Sequence, residues 1–262
     1  MKTWVLLRGL ARESRHWGSF PQALQDHQPD ARVVPLDLPG NGRFWQQRSP
    51  TSIDVMVEHC RRQLTVLGVE PPYNLVALSL GAMVAAAWCV NYPKEISQGV
   101  LINTSVRTFS PFWQRLRPTS YLTFLRLMLT PGNTQWREQQ VLRLTSNEYA
   151  EDKSVAECWA RYAMDCPRSR RNVFRQLVAA LKFRAPVGAP SAPLLILASI
   201  GDRMVNPDCS RQIAKKWKAT LVLHPSAGHD LPLDDEAWVI QQIVAWRRQQ
   251  ADISRSQNVR SC

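Results

Sequence analysis

Six short runs of apolar residues constrain the fold of this 262-residue chain more than any other feature. The runs are apolar throughout rather than alternating, which is typical of parallel strands covered on both faces of a sheet. A turn signal and then a helical pattern follow almost every run. The candidate strands are residues 4–7, 32–37, 74–79, 99–104, 193–199 and 220–224. This alternation predicts an α/β fold with a doubly wound, mostly parallel sheet of about six strands.

Helical periodicity fills the segments between these strands. The clearest case is 52–67, whose apolar residues recur along one helical face. Residues 82–92 are small and apolar, which predicts a buried helix, and two further helices are predicted over 207–217 and 236–248. The 45% hydrophobic content is enough to bury a core, so the composition excludes wholesale disorder.

The alternation of strands and helices is interrupted between residues 105 and 185. This segment has no convincing strand, and it predicts several helices separated by Pro111, Pro118, Pro131, Gly132 and Pro167. We therefore expect a core formed by residues 1–104 and 186–250, with a helical insertion over 105–185. The proline-rich segment 185–193 is expected to be a stiff return linker. Residues 251–262 are polar and are expected to form a disordered tail.

Targeting signals, membrane spans and metal-binding cysteine motifs are not expected. The first apolar run is cut at Arg8, which makes it too short for a signal-peptide core. No stretch approaches the roughly 18 apolar residues of a membrane-spanning helix. The six cysteines are widely spaced and form no Cys-x-x-Cys pair. We expect reduced thiols in a cytoplasmic protein that needs no metal or organic cofactor.

Ser79 lies where an apolar strand meets a run of small residues that opens a helix. Residues 74–83 read Asn-Leu-Val-Ala-Leu-Ser-Leu-Gly-Ala-Met. This is the context of a nucleophile elbow, Gly-x-Ser-x-Gly, with Ala77 in the first glycine position and Gly81 in the second. The sharp turn exposes the serine hydroxyl, and the next backbone N–H begins a helix, where negative charge is favoured. By themselves, these residues fit a strand end followed by an N-cap serine equally well.

Two later loops supply an acid and a histidine in the chain order that such a hydrolase requires. Asp202 follows the fifth candidate strand, and His229 lies in the loop after the sixth. Open α/β sheets hold their sites at the carboxyl ends of the strands, so we expect Ser79, Asp202 and His229 to converge. The remaining histidines are expected to be structural or surface residues. They are His16, His27, His59 and His224.

Two further motifs complete a resemblance to a known family. Residues 37–43, Asp-Leu-Pro-Gly-Asn-Gly-Arg, resemble an Asp-x-Pro-Gly-x-Gly loop, and residues 7–10 resemble the His-Gly segment of an oxyanion loop, with Arg8 in place of the histidine. With the Ser79 motif, they make the chain resemble the α/β-hydrolase-fold serine hydrolases over nearly its whole length except the insertion and the tail. It looks like a bacterial carboxylesterase with a helical lid and is similar to esterases that act on acyl-carrier-protein methyl esters.

The resemblance implies an acyl-enzyme mechanism for a carboxylic ester or thioester. Ser79 is then the nucleophile, His229 the general base, and Asp202 the residue that orients the histidine. The backbone N–H groups of Leu10 and Leu80 would form the oxyanion hole. Two alternatives stay open: a lyase or C–C hydrolase that uses the same triad, and a non-catalytic receptor for a small molecule on the same fold.

The positive charge of the chain is concentrated in the insertion. The formal net charge is +12, and residues 105–185 contain 14 Lys or Arg and 6 Asp or Glu. Because the resemblance implies that the insertion is a lid, we expect basic residues around the active-site entrance, where an anionic substrate or an acidic protein such as an acyl carrier protein would bind. Solvated helix faces explain the same charge. No nucleic-acid-binding motif is present.

The candidate binding residues in the insertion are of two kinds. The candidate arginines are Arg107, Arg115, Arg117, Arg126, Arg168, Arg170, Arg171 and Arg175. The candidate residues of an acyl pocket are Leu116, Leu122, Phe124, Leu125 and Leu129. Among these, Arg107, Arg115, Arg117 and Leu125 are our main candidates for contact with the substrate or a partner.

Overall fold

A six-stranded sheet in which every strand pairing is parallel forms the centre of the molecule, as the sequence predicts. The computed structural model describes residues 2–129, 133–185 and 188–260, and leaves undescribed the side chains of Met128 and of residues 253–260. The spatial order of the strands is β2-β1-β3-β4-β5-β6. The strands are β1 (Lys2–Leu7), β2 (Ala31–Leu36), β3 (Tyr73–Leu78), β4 (Ile96–Ile102), β5 (Leu194–Ser199) and β6 (Thr220–His224).

All six observed strands begin and end within three residues of the bounds expected from the sequence. Eleven α-helices lie within the described residues. The helices are α1 (Phe20–Asp26), α2 (Ile53–Val66), α3 (Leu80–Asn91), α4 (Phe112–Arg115), α5 (Tyr121–Leu129), α6 (Thr134–Thr145), α7 (Lys153–Asp165), α8 (Arg170–Lys182), α9 (Asp208–Trp217), α10 (Leu231–Asp234) and α11 (Glu236–Arg260).

Alternate residues of the strands point to opposite faces of the sheet, and each face is covered by helices. In β1, Val5 and Leu7 belong to a buried cluster with residues of α2, α3 and α9. Trp4 and Leu6 belong to a second cluster with residues of α1 and α11. Burial on both faces is the physical reason for the continuous apolar runs in the sequence.

The strand registers bring the carboxyl ends of the strands to one edge of the sheet. Leu7 lies opposite Ala77, and Leu78 lies opposite Ile102. Ser199 of β5 lies opposite His224 of β6, the last strand in the spatial order. The loops that begin after these residues are therefore neighbours in space, although they are far apart in the sequence.

The insertion between β4 and β5 contains α4–α8 and no strand in the part that the structure describes. Polar side chains begin three of its helices: Asn133 accepts from Trp136 N, Asp152 from Ser154 N, and Ser169 from Asn172 N. Of the expected separators, Pro131 and Gly132 lie outside the described residues. So do Pro186 and Val187 of the expected return linker.

The last helix is longer than the sequence pattern suggests. Helix α11 runs to Arg260, so residues 251–260 are helical where we expected a disordered tail. The segment from Glu236 to Arg260 contains no proline or glycine, so each added residue can continue the helical hydrogen-bond pattern. No helix among the described residues is both long enough and apolar enough to cross a membrane.

Candidate active site

Ser79 lies in the sharp turn between β3 and α3, with φ +56° and ψ −115°. This conformation is unfavourable for a non-glycine residue and must be held by its surroundings. The Ser79 backbone N–H donates to the carbonyl of Ile102 at 2.9 Å, and its carbonyl accepts from Thr104 Oγ1 at 2.9 Å. The turn has the geometry of a nucleophile elbow, and Ser79 lines a cavity.

The close passage of strand and helix at this turn requires Gly81. A Cβ atom there would lie 2.4 Å from the carbonyl oxygen of Leu7 and 2.6 Å from that of Arg8. By contrast, Ala77 replaces the first glycine of the motif without a clash, because it is a buried residue in the regular part of β3. The motif therefore tolerates alanine at one of its glycine positions and excludes any side chain at the other.

Asp202 and His229 form a buried hydrogen-bonded pair. His229 Nδ1 lies 2.7 Å from Asp202 Oδ2, and the side chains are 5% and 1% exposed. The other carboxylate oxygen of Asp202 accepts from the backbone N–H groups of Met204 at 2.7 Å and Val205 at 2.9 Å. Because a carboxylate only accepts, Nδ1 carries the proton, which leaves Nε2 of a neutral His229 as an acceptor.

The environment of His229 favours its protonated form. Burial lowers the pKa of His229, but the adjacent Asp202 carboxylate and then Asp230 raise it, and the net pKa lies above the ordinary value of 6.5. Arg8 opposes this increase in pKa. The arrangement stabilises the imidazolium that forms when a histidine accepts a proton from a serine.

Ser79 and His229 line the same cavity, which has a volume of about 280 Å³. Among the described contacts no hydrogen bond joins their side chains, as is common for catalytic pairs in unliganded structures. Most of the lining is apolar and much of it comes from the insertion. The apolar lining includes Phe124, Leu127, Val141, Leu144, Val173 and Met204.

The two residues whose backbone N–H groups are expected to form an oxyanion hole are both close to Ser79, one in the cavity wall and one in the sequence. Leu10 lines the cavity, and Leu80 is the first residue of α3. A Cβ atom on Gly9, the residue before Leu10, would lie 3.2 Å from Ser79 Cβ, so the loop after β1 passes directly beside the serine. This placement is compatible with both N–H groups facing an oxygen bound at Ser79.

Asn103 is a functional candidate that no sequence motif indicated. Its Nδ2 donates to the carbonyl of His229 at 2.8 Å and its Oδ1 accepts from the backbone N–H of Ser199 at 2.8 Å. It therefore ties the histidine loop to the ends of β4 and β5. The only sequence signal for it is a polar residue directly after a buried strand.

The Asp37–Arg43 motif supports the loop that follows β1. The Asp37 carboxylate accepts from the backbone N–H groups of Ser14 at 2.7 Å and Arg43 at 3.0 Å. Gly42 has φ +49°, and a Cβ there would lie 2.2 Å from Asp37 Oδ2. The motif thus gives a tight structural loop that holds the segment after β1.

None of our four main candidates in the insertion lines the Ser79 cavity, which corrects the expectation that they contact a substrate bound there. Arg107 is exposed in the loop after β4. Arg115 is buried and donates to the carbonyl of Ala180 at 2.6 Å, which joins α4 to α8. Arg117 donates to the carbonyl of Asp202 at 2.7 Å, so it supports the acid loop from outside the cavity.

The fourth candidate, Leu125, is 54% exposed, whereas Phe124 and Leu127 on the same helix line the cavity. Adjacent helical residues point about 100° apart, so only one face of α5 can reach the cavity. Of the wider set of arginine candidates, Arg168 and Arg170 do line the cavity, together with Arg137, which we did not single out from the sequence.

Two buried ion-pair groups link the loop after β1 to the rest of the site. Arg8, in the position of the expected histidine, pairs with Asp230. Arg12 and Arg168 both pair with Glu138 of α6, whose side chain is 1% exposed. Among the described residues no cluster of three His, Cys, Asp or Glu side chains has the arrangement of a metal site.

Comparison with known proteins places this geometry in a family. The model of the family described as "Alpha/beta hydrolase family" matches residues 4–242. A proposed carbamate hydrolase, RutD, from Caulobacter sp. (strain K31) is 26% identical over 242 residues, which cover 87% of this chain and 84% of the relative.

Solved structures share the fold. A thermophilic esterase from Thermogutta terrifontis superposes with a TM-score of 0.73 at 20% identity, covering 95% of this chain and 90% of the other. An enol-lactonase from Burkholderia xenovorans LB400 superposes with a TM-score of 0.77 at 17% identity, covering 94% and 91%.

Proposed function

Since the chain belongs to the alpha/beta hydrolase family, we propose that it is a serine hydrolase that cleaves a carboxylic ester or thioester through an acyl-enzyme on Ser79. The observation that carries this proposal is the buried Asp202–His229 pair, whose histidine lines the same cavity as a serine in a strained strand-to-helix turn. A strained serine beside a histidine that a carboxylate orients is the constellation required for nucleophilic catalysis.

The first half of the reaction forms the acyl-enzyme. His229 Nε2 takes the proton of Ser79 Oγ as the oxygen attacks the substrate carbonyl, and Asp202 stabilises the resulting imidazolium. The backbone N–H groups of Leu10 and Leu80 donate to the oxyanion. His229 then gives its proton to the leaving alcohol or thiol. Loss of one oxyanion donor typically costs about 2.7–4 kcal/mol of transition-state stabilisation.

The second half regenerates the enzyme. Water gives a proton to His229 as its oxygen attacks the acyl carbonyl, and Ser79 Oγ leaves with the proton that His229 returns. The apolar side chains from the insertion enclose the acyl group and strengthen the electrostatic interactions by limiting water. In this proposal the insertion acts as the lid of the active site.

Labelling with a fluorophosphonate probe, together with a panel of p-nitrophenyl esters of short and medium chain length, tests the proposal. We expect wild type to be labelled and to cleave at least one ester, and Ser79→Ala to lose both properties. Ser226→Ala is a matched control, since Ser226 is exposed on the histidine loop and does not line the cavity. A wild-type protein that is neither labelled nor active would contradict the proposal and favour a receptor.

Carbamate hydrolysis is a second candidate, favoured by the match to the RutD relative. Attack of Ser79 on a carbamate carbonyl would use the same base and oxyanion donors, with ammonia or an amine as the leaving group. Ammonia release from a simple carbamate, measured beside p-nitrophenol release from the esters, separates the two. A kcat/KM for the carbamate above that of every ester would replace our leading assignment.

A further inference from the structure

The cavity that contains Ser79 is lined by more positive than negative side chains. Within the described part of the chain, five arginines and two carboxylates contribute to its wall. The arginines are Arg8, Arg12, Arg137, Arg168 and Arg170, and the carboxylates are Glu138 and Asp230.

Three of the five arginines use both carboxylates. Arg8 pairs with Asp230, and Arg12 and Arg168 share Glu138. Burial opposes ionisation of Glu138, but Arg12 and Arg168 outweigh it and hold the pKa of this carboxyl below its ordinary value. One carboxylate shared by two guanidinium groups leaves this group of three side chains with a net positive charge, where α6 meets the loop after β1 and the segment before α8.

Arg137 adds a further cation to this group. Burial, and then the neighbouring guanidinium groups of Arg170 and Arg168, lower the pKa of Arg137. These side chains are therefore close enough to repel one another, although an arginine remains charged in proteins. In addition, Nη2 of the buried Arg12 has no hydrogen-bond partner among the described groups. An anion bound here would relieve the repulsion between the guanidinium groups and accept hydrogen bonds from their N–H groups.

Helix α6 runs along the wall of the cavity, from this cationic group to the loop that carries His229. Thr145, at the end of α6, accepts from the backbone N–H of Asp230 at 2.7 Å, next to His229. Arg137 lies eight residues earlier on the same cavity-lining face, which is about 12 Å along the helix axis. Arg137 therefore lies toward the end of α6 that is remote from His229.

We propose that Arg137, Arg168 and Arg170 form a subsite for an anionic group, either a carboxylate or a phosphate. This group lies at the end of the substrate remote from the cleaved bond. The planar guanidinium fork matches the geometry of such groups and forms charge-assisted hydrogen bonds with them. The inference rests on the proposed function, because it assigns the substrate class of the same site. The substrate is then a small ester whose acyl chain ends in a negative charge.

The test compares p-nitrophenyl half-esters of adipic, suberic and sebacic acid with analogues in which a primary amide replaces the free carboxylate. We expect wild type to prefer at least one half-ester over its neutral analogue by about tenfold or more in kcat/KM, after subtraction of spontaneous hydrolysis. A phosphate-ended arm uses the p-nitrophenyl ester of a phosphorylated hydroxybutyric acid. A preference for either anion over its neutral analogue supports the subsite and identifies the group.

The variants Arg137→Gln and Arg170→Gln locate the effect. Each should lower kcat/KM for the preferred anionic ester by about tenfold, mainly through KM, and change the neutral analogue by less than about twofold. The neutral analogue also reports correct folding. Arg137→Lys, which keeps the charge but loses the fork, should give an intermediate value.

Arg171→Gln is the matched control. Arg171 is the next residue on α8, is exposed, and lines an outer groove rather than the Ser79 cavity. It should behave as wild type. A loss equal to that of Arg137→Gln would overturn the subsite and indicate long-range steering of the kind an acidic protein partner would use. Equal cleavage of charged and neutral esters by wild type would also overturn the subsite while leaving ester hydrolysis intact, and cleavage of neither would instead reject the proposed function.

Discussion

Arg8 donates from both Nη atoms to the two carboxylate oxygens of Asp230, and the residues are only 2% and 3% exposed. Arg8 follows β1 and begins the segment that carries Leu10, whereas Asp230 directly follows His229. The pair therefore connects the proposed oxyanion loop to the histidine loop across 222 residues of sequence. Arginine at the position where the family resemblance leads one to expect histidine is explained by its buried partner.

We predict that breaking this pair from one side destabilises the protein strongly. Asp230→Leu leaves a buried guanidinium without its carboxylate and should cost about 3–5 kcal/mol of unfolding free energy. The double variant Arg8→Met/Asp230→Leu removes both charges and should cost less than Asp230→Leu alone. Urea unfolding of Arg8→Met, Asp230→Leu and the double variant measures the coupling free energy between the two residues.

The exposed Arg143–Glu151 pair provides the control for this measurement. Its side chains are 47% and 74% exposed, so Glu151→Gln should leave the urea midpoint unchanged. If Asp230→Leu were no more harmful than Glu151→Gln, the Arg8–Asp230 pair would have no structural role.

We predict that His229 titrates above 6.5 and that Asp202 is responsible. Since catalysis needs neutral His229, kcat/KM should rise with pH as this proton is lost. The free energy of unfolding depends on pH in the opposite direction. Because the pKa of His229 is raised in the folded state, protonation of His229 stabilises the folded state, and this contribution is complete below the unfolded-state pKa. It disappears as the pH rises through the folded-state pKa. NMR titration of the His229 ring should show a lower pKa in Asp202→Asn.

His16 serves as an internal control in the same titration. Burial, and then the neighbouring Arg12 and Arg8, lower the pKa of His16 well below its ordinary value. Its ring should therefore remain neutral across the range in which His229 titrates, in wild type and in Asp202→Asn alike. An unchanged His229 midpoint in Asp202→Asn would show that the carboxylate does not control it.

We predict that no side chain is tolerated at Gly81. In Gly81→Ala the new Cβ would meet the backbone carbonyl oxygens of Leu7 and Arg8 at 2.4 and 2.6 Å, and the end of β1 cannot move without disturbing the sheet. Expression as soluble protein and the thermal unfolding midpoint should both fall sharply. In Gly188→Ala, which has no atom within 4 Å of the new Cβ, both should match wild type. A folded, active Gly81→Ala would show that α3 can shift away from β1.

We predict that Asn103 positions the histidine loop. Asn103→Gly removes the side-chain hydrogen bonds to His229 and Ser199 and accommodates the backbone, which has φ +44° at this position. It should lower kcat about tenfold with little change in KM, because the histidine is misplaced while the substrate pocket is intact. Asn91→Gly tests for a general effect, since Asn91 is exposed and its side chain donates to Asp54, far from the histidine loop in the sequence. A fall in KM and kcat together with normal His229 titration would argue against positioning.

The sheet was predictable from the sequence because the signals for it are local. A strand covered on both faces is apolar at every residue, and this pattern located all six strands, including β6 with its observed bounds Thr220–His224. The same edge of the sheet collects Ser79, Asp202 and His229, because parallel strands place their following loops side by side. Their selection as candidates needed only the motif, the chain order and this topological rule.

The wall of the cavity was decided by tertiary structure. Helical periodicity shows which residues share a face, as Phe124 and Leu127 do on α5, but not which face packs over the sheet. Leu125 was therefore expected in the acyl pocket although it does not line the cavity, and Arg137 was missed. The Arg8–Asp230 and Arg12–Glu138 pairs join residues 222 and 126 positions apart. Short-range patterns determine strands and turns, whereas long-range pairing of charges depends on how the helices of the insertion pack against the core.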